Sequence, residues 1–163
     1  MLELIIIGQV MGQNAQQHPH LVERHRAYNM GNIPEKYKGL KNPLKPTEEN
    51  LAAGEKIWKE QCVVCHGESG KGDGPAGKSL NPPPADLSFI MTRPIAQDDF
   101  LFWTISEGGA QFGTAMPAYK NILSEKQIWQ VILYMRKKFT GTTEPPKWMQ
   151  RRMMRQHRMM QNN

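Results

Sequence analysis

Cysteine is scarce in this chain: two residues in 163. A structural zinc site wants four ligands, normally from a second Cys/His pair, and none stands nearby. Long apolar runs are missing too. Leu2 to Val10 is interrupted by Glu3, Gly8 and Gln9 and falls well short of the about 20 residues a spanning helix needs. Hydrophobic residues make up 39% and mean hydropathy is −0.62, little for a core that must stand on its own. No nucleophile, acid–base pair or substrate cleft can be read, so the sequence points away from an enzyme. Nothing points to nucleic acid either, because the basic C-terminal segment has no recognisable reading module.

Charge is present but unevenly spread. Residues 47–140 carry 10 Lys/Arg and 11 Asp/Glu, for a net −1. Residues 1–46 carry a net +3 and residues 141–163 a net +4. The overall +6 therefore belongs to the two ends. At this length the chain has room for one domain with appended arms.

The two cysteines sit together in Cys62-Val63-Val64-Cys65-His66. Cys-x-x-Cys-His is the attachment signature of a c-type haem. The spacing follows from the chemistry: two thiols on one turn add to the two vinyl groups of one porphyrin edge, and the next residue supplies an imidazole to the iron. A thioredoxin-like Cys-x-x-Cys would need a βαβ setting. Here a helical pattern precedes the motif and a Gly/Pro loop follows it. A Cys62–Cys65 disulfide leaves the His unexplained.

A second axial ligand is expected, because electron-carrying haems commonly take a Met thioether, which raises the reduction potential. Gly113-Thr114-Ala115-Met116-Pro117-Ala118-Tyr119 offers one. Small residues let the backbone approach the porphyrin, and Pro117 stiffens the loop. Of eleven methionines, Met116 alone has this setting; the plainer reading is core filler.

The chain resembles the monohaem class I cytochromes c, of the small bacterial soluble kind, over about residues 47 to 140. The resemblance rests on Gly54, Trp58, Cys62 to Gly67, Gly70-Lys71-Gly72-Asp73-Gly74, Met116-Pro117 and the Trp129-to-Tyr134 helix. It implies an all-α cytochrome c fold, three to five helices wrapped around one covalently bound haem c, with irregular N- and C-terminal extensions. It also implies that Gly54 and Trp58 touch the last helix, that haem is attached outside the cytoplasm, and that the activity is electron transfer. Haem would supply much of the core, so the apo-chain is expected to fold poorly.

Along the chain, residues 1–15 resemble a truncated secretion signal with small residues near Gly12 to Ala15 for cleavage, though a basic n-region is missing. A buried strand is the alternative. With no Cys near the N-terminus, a bacterial lipoprotein anchor is not expected. Residues 16–46, punctuated by Pro19, Pro34, Pro43 and Pro46, read as an extended arm of low helical content. His18, His20 and His25 in it read as exposed polar residues rather than metal ligands. A helix should start at Thr47, with Glu48 and Glu49 in its first turn, and run into Cys62. Gly67 to Pro84 reads as a loop, and its Gly72-x-Gly74-x-x-Gly77 is a false dinucleotide-binding match because no strand precedes it. A carbonyl of Asn81-Pro82-Pro83-Pro84 is expected to accept from the His66 ring. Asp98 to Glu107 should be a helix, with Trp103 in its core face. Ser124-x-x-Gln127 is a capping box opening the last helix.

From Lys147 the segment sets Lys147, Arg151, Arg155 and Arg158 on one helical face and Met149, Met153 and Met160 on another. A solvated tail, a basic surface for anionic lipid or an acidic partner, and a Cu(I) site with His157 are all open readings. The expected function is one-electron transfer between redox proteins of the cell envelope, in the periplasm. Donors, acceptors or a membrane respiratory complex are the partners, and the chain acts as a monomer or as a complex subunit. His66 and Met116 serve as metal ligands, and Cys62 and Cys65 as anchors. A haem peroxidase or gas sensor, should Met116 be labile, and a copper-handling protein are the rivals.

Overall fold

Thr47 has extended backbone and its hydroxyl accepts from the Asn50 amide, 3.2 Å away. It thereby satisfies one of the orphan donors of a helix start. From there α2 runs over Glu48–Ile57, with two acids in its first turn favoured by the helix dipole. The chain then widens into a π-helical turn over Trp58–Cys62, closed by the Val63 amide on the Trp58 carbonyl. It re-tightens as α3, Val63–His66. Such π turns are frequent at functional sites; this one ends at the first cysteine.

The computed structural model describes residues 19–144 and residue 151. The signal-like segment and the Met/Arg-rich tail, Arg151 apart, lie outside the described residues, as does the copper reading of Met149, Met153, Met160 and His157. Among the described residues there is no strand. No helix of these residues is long and apolar enough to cross a membrane.

Helix α4 covers Leu87–Ile90, α5 Asp98–Glu107 and α6 Glu125–Thr140. The α5 limits are those read from the sequence. The Ser124–Gln127 capping box is formed in both directions: the Gln127 amide donates to the Ser124 hydroxyl and the Ser124 amide to the Gln127 side chain. Helix α6 packs along α2, crossing at Gly54. A Cβ there would collide with the Gln130 carbonyl oxygen and crowd the Tyr134 Cβ. Trp58, fully buried, meets Tyr134 and Phe139 with ring centroids 6.5 and 5.4 Å away. Ile128, Val131 and Ile132 complete the buried face of α6, at the 3.6-residue spacing of an amphipathic helix. Arg136, buried on α6, bonds Asp98 at 2.6 Å and the Ala96 carbonyl at 2.9 Å, fixing α6 to the start of α5.

The N-terminal arm corrects the sequence reading. It is not an extended strap of low helical content: α1 spans Pro19–Asn29, and a 3-10 turn spans Glu35–Tyr37. Pro19 sits in the first turn, where its missing N–H costs nothing, and Pro34, Pro43 and Pro46 all fall after α1. Tertiary bonds hold the arm down. Tyr28 donates to Asp99 at 2.7 Å, the Gly39 amide to Asp99 at 3.0 Å, and Asn42 to Asp98 and to the Trp129 carbonyl, each at 3.0 Å. Tyr37 and Lys120 both donate to Glu107, and Lys36 lies 3.4 Å from it.

Two outcomes test this packing. Gly54→Ala should destabilise the protein by about 1–3 kcal/mol, the usual cost of overpacking a close contact, read from urea unfolding of the haem-loaded chain. Lys120 and Tyr37 hold the Glu107 carboxyl below its ordinary 4.5. Its contribution is therefore present above that value and lost as pH falls through the lower, folded-state value. Glu107→Gln should cost about 1 kcal/mol at neutral pH and nothing once the carboxyl is protonated; a pH-independent cost would contradict this.

Candidate functional site

Between the Trp58–His66 turns, α5 and α6 the packing leaves a cavity of about 1200 Å³, open mouth included. Its walls are mainly apolar, with Leu101, Ile105, Val131 and Met135 among them. Cys62, Cys65, His66 and Met116 all border it, so the residues singled out from the sequence converge on one space. Trp58 borders it as well, and its buried indole N–H has no partner.

The Cys62–His66 turn is held by the loop that follows. The amides of Gly72, Gly74 and Ala76 donate to the carbonyls of His66, Cys65 and Val64 at 2.9, 3.2 and 2.9 Å. These are the carbonyls a helix C-terminus leaves unpaired. The loop lies so close that a Cβ at Gly77 would collide with the Cys65 carbonyl oxygen. Of the glycines that mimicked a dinucleotide motif, Gly72 and Gly74 thus join Ala76 in a lid of amides over the cysteine turn, and Gly77 permits its close approach.

His66 is half-buried, and its Nδ1 lies 3.1 Å from the Ala85 carbonyl oxygen. The acceptor is one residue beyond the Asn81–Pro84 run in which it was expected. The reason is local: the Pro84 carbonyl is turned against Gly72, where a Cβ would strike it, and the next carbonyl faces the ring. Burial lowers the His66 pKa, and the bond to Ala85 opposes that only in part. The two thiols are not joined. Burial, helped by the neighbouring Cys65, pushes the Cys62 thiol up to about 12. A redox-active Cys-x-x-Cys needs the opposite, a lowered value.

The methionine loop is tied at both ends. The Gly109 amide donates to the Met116 carbonyl at 2.9 Å. Tyr119, buried three residues on, donates to the Gln61 carbonyl at 2.9 Å. That bond runs from the Met116 loop to the residue before Cys62, and nothing in the sequence pattern announced it. Arg24 and His25 of α1 and Thr104 of α5 also border the cavity and were missed. His25 is half-buried and edge-on to Phe100 at 5.5 Å, not the exposed residue the sequence suggested. Among the described residues no three His, Cys, Asp or Glu side chains cluster as metal ligands.

These residues fit a porphyrin: two unpaired thiols, an imidazole with its second nitrogen hydrogen-bonded, and a thioether, around an apolar space. A wholly helical domain built in this way defines a monohaem c-type cytochrome, an electron-transfer domain with one covalently attached haem. The chain belongs to the family described as cytochrome c oxidase, cbb3-type, subunit III, whose model matches residues 49–135. No curated protein matches it. Among solved structures, a chain of the Kuenenia stuttgartiensis reducing HAO-like protein complex Kustc0457/Kustc0458 is 28% identical. The match covers 61% of this chain and 47% of that one, with a TM-score of 0.47, so this chain spans about half the length of that relative.

Tyr119→Phe should lower stability by about 1 kcal/mol, the value of one hydrogen bond, in urea unfolding of the haem-loaded chain. An unchanged midpoint would mean that the bond does not tether the loop.

Proposed function

We propose that this chain is a one-electron carrier whose haem iron is held between His66 and Met116 and whose haem is bonded to Cys62 and Cys65. The observation that carries this reading is the convergence of all four side chains on one apolar cavity, although Met116 is fifty residues from His66. Haem c, when bound, supplies the reversible one-electron couple of its iron. The residues do the rest. The Ala85 carbonyl accepts a hydrogen bond from His66 Nδ1–H, which leaves Nε2 as the coordinating nitrogen and fixes the ring's orientation. The cysteine turn, clamped by the Gly72–Ala76 amides, keeps both sulfurs on one edge. The loop anchored at Gly109 and Tyr119 presents the thioether and excludes water. With both ligands retained through the cycle, little reorganisation accompanies transfer.

The carrier serves redox proteins of the cell envelope, in the periplasm, because thioether attachment of haem takes place outside the cytoplasm. The family's description names an oxidase subunit, which fits delivery of electrons to a membrane respiratory complex, as a free carrier or as one of its subunits.

Ferric protein should show the methionine–iron charge-transfer band, and Met116→Leu should abolish it. The potential of that variant should fall by at least the ~59 mV of a tenfold change in a one-electron equilibrium. Retention of the band in Met116→Leu would assign the sixth ligand elsewhere.

A further inference from the structure

Arg24 is only 6% exposed, yet among the described residues no carboxylate pairs with it. Its guanidinium bonds end on backbone carbonyls, Gly108 at 2.7 Å and Thr104 at 3.4 Å. It lies 4.7 Å from the Phe112 ring centre and 5.7 Å from that of Trp103. Aromatic faces and carbonyls attract a cation but do not neutralise it. A buried charge without a counter-ion is costly, and proteins normally pair it.

The same corner holds more unspent hydrogen-bonding capacity. His25 Nε2 and Thr104 Oγ1 are buried without a partner. Arg24, His25 and Thr104 all border the cavity. Arg24 is the one Lys or Arg among its described lining residues, and no Asp or Glu is among them. A cation and two orphaned polar atoms thus stand at one end of a mainly apolar space, with no anion on the protein side. The missing partner is an acid group on whatever fills the space, and haem carries two propionate carboxylates.

We propose that Arg24, with His25 and Thr104, receives a haem propionate, so that α1 positions the prosthetic group and raises its reduction potential. This rests on the reading that haem occupies this cavity. Both arm residues precede the segment that matches the family model, residues 49–135. The chain therefore completes its haem pocket with a helix that lies outside that segment. Burial lowers the Arg24 pKa to about 10, still far above neutrality, so the guanidinium stays charged. A cation beside the haem favours the reduced state, which has one positive charge fewer.

The test uses the full haem-loaded chain, with haem isotopically labelled at its carboxyl carbons, and two readouts. These are the potential and the redox-difference infrared bands of the labelled carboxylates. Arg24→Gln should lower the ratio of reduced to oxidised protein at a fixed solution potential about tenfold, equivalent to ~59 mV, and should shift the labelled bands. Arg26→Gln, on the exposed side of the same helix, should move the potential far less and leave the bands in place. Arg24→Lys keeps the charge without the planar fork, so it should retain most of the potential while still shifting the bands; it serves if Arg24→Gln does not accumulate. His25→Phe should shift the bands with a smaller change in potential. Labelled bands in Arg24→Gln and Arg24→Lys identical to those of the parent would overturn the proposal, as would equal potential shifts in Arg24→Gln and Arg26→Gln. A purified parent chain without haem absorbance would instead overturn the underlying haem reading, which separates the two failures.

Discussion

The protein is organised around a space its own side chains do not fill. Helices α2 and α6 cross in close contact at Gly54 and Gln130, and α5 packs on α6. The cavity beside them, walled by the Trp58–His66 turns, α5 and α6, is bordered by the residues able to bind a porphyrin. Low hydrophobic content, a buried indole without a partner and an unpaired buried cation are separate signs of one condition. The polypeptide encloses room for a large apolar ligand, and a haem bound there is core as well as cofactor.

Two stretches of backbone convert that space into a redox site. The π turn at Trp58–Cys62 resets the helical phase before the cysteines, and the Gly72–Ala76 amides then hold the carbonyls of the next turn. Far along the chain, Gly109 and Tyr119 tie the Met116 loop to α5 and to Gln61. The Met116 side of the cavity is thus tied to the Cys62–His66 side by a hydrogen bond within the protein, an order that the proposed ligation draws on.

Much of this was readable from local chemistry. Cys62, Cys65 and His66 form a motif whose spacing is set by the porphyrin edge, and Gly54 marks a helix crossing because no other residue fits there. Asp98–Glu107 and the Ser124 cap were legible because acids and capping residues mark helix starts. What stayed hidden depends on contacts distant in sequence. Helix α1 has no apolar stripe, and its fold is secured by Tyr28 on Asp99 and Arg24 on Gly108. His25 looked like a solvated residue in a polar stretch and its neighbour Arg24 drew no notice; only the tertiary structure places both at the cavity. The acceptor for His66 slipped by one residue because the Pro84 carbonyl packs against Gly72, a detail beyond any pattern in the Pro run.

Every role assigned to the cavity depends on covalent attachment of haem at the cysteine turn. Intact mass spectrometry of the chain matured in cells that attach haem measures this most directly. One haem added to the polypeptide, and lost when Cys62 and Cys65 are both replaced by serine, is the predicted result. A mass equal to the bare polypeptide would contradict it.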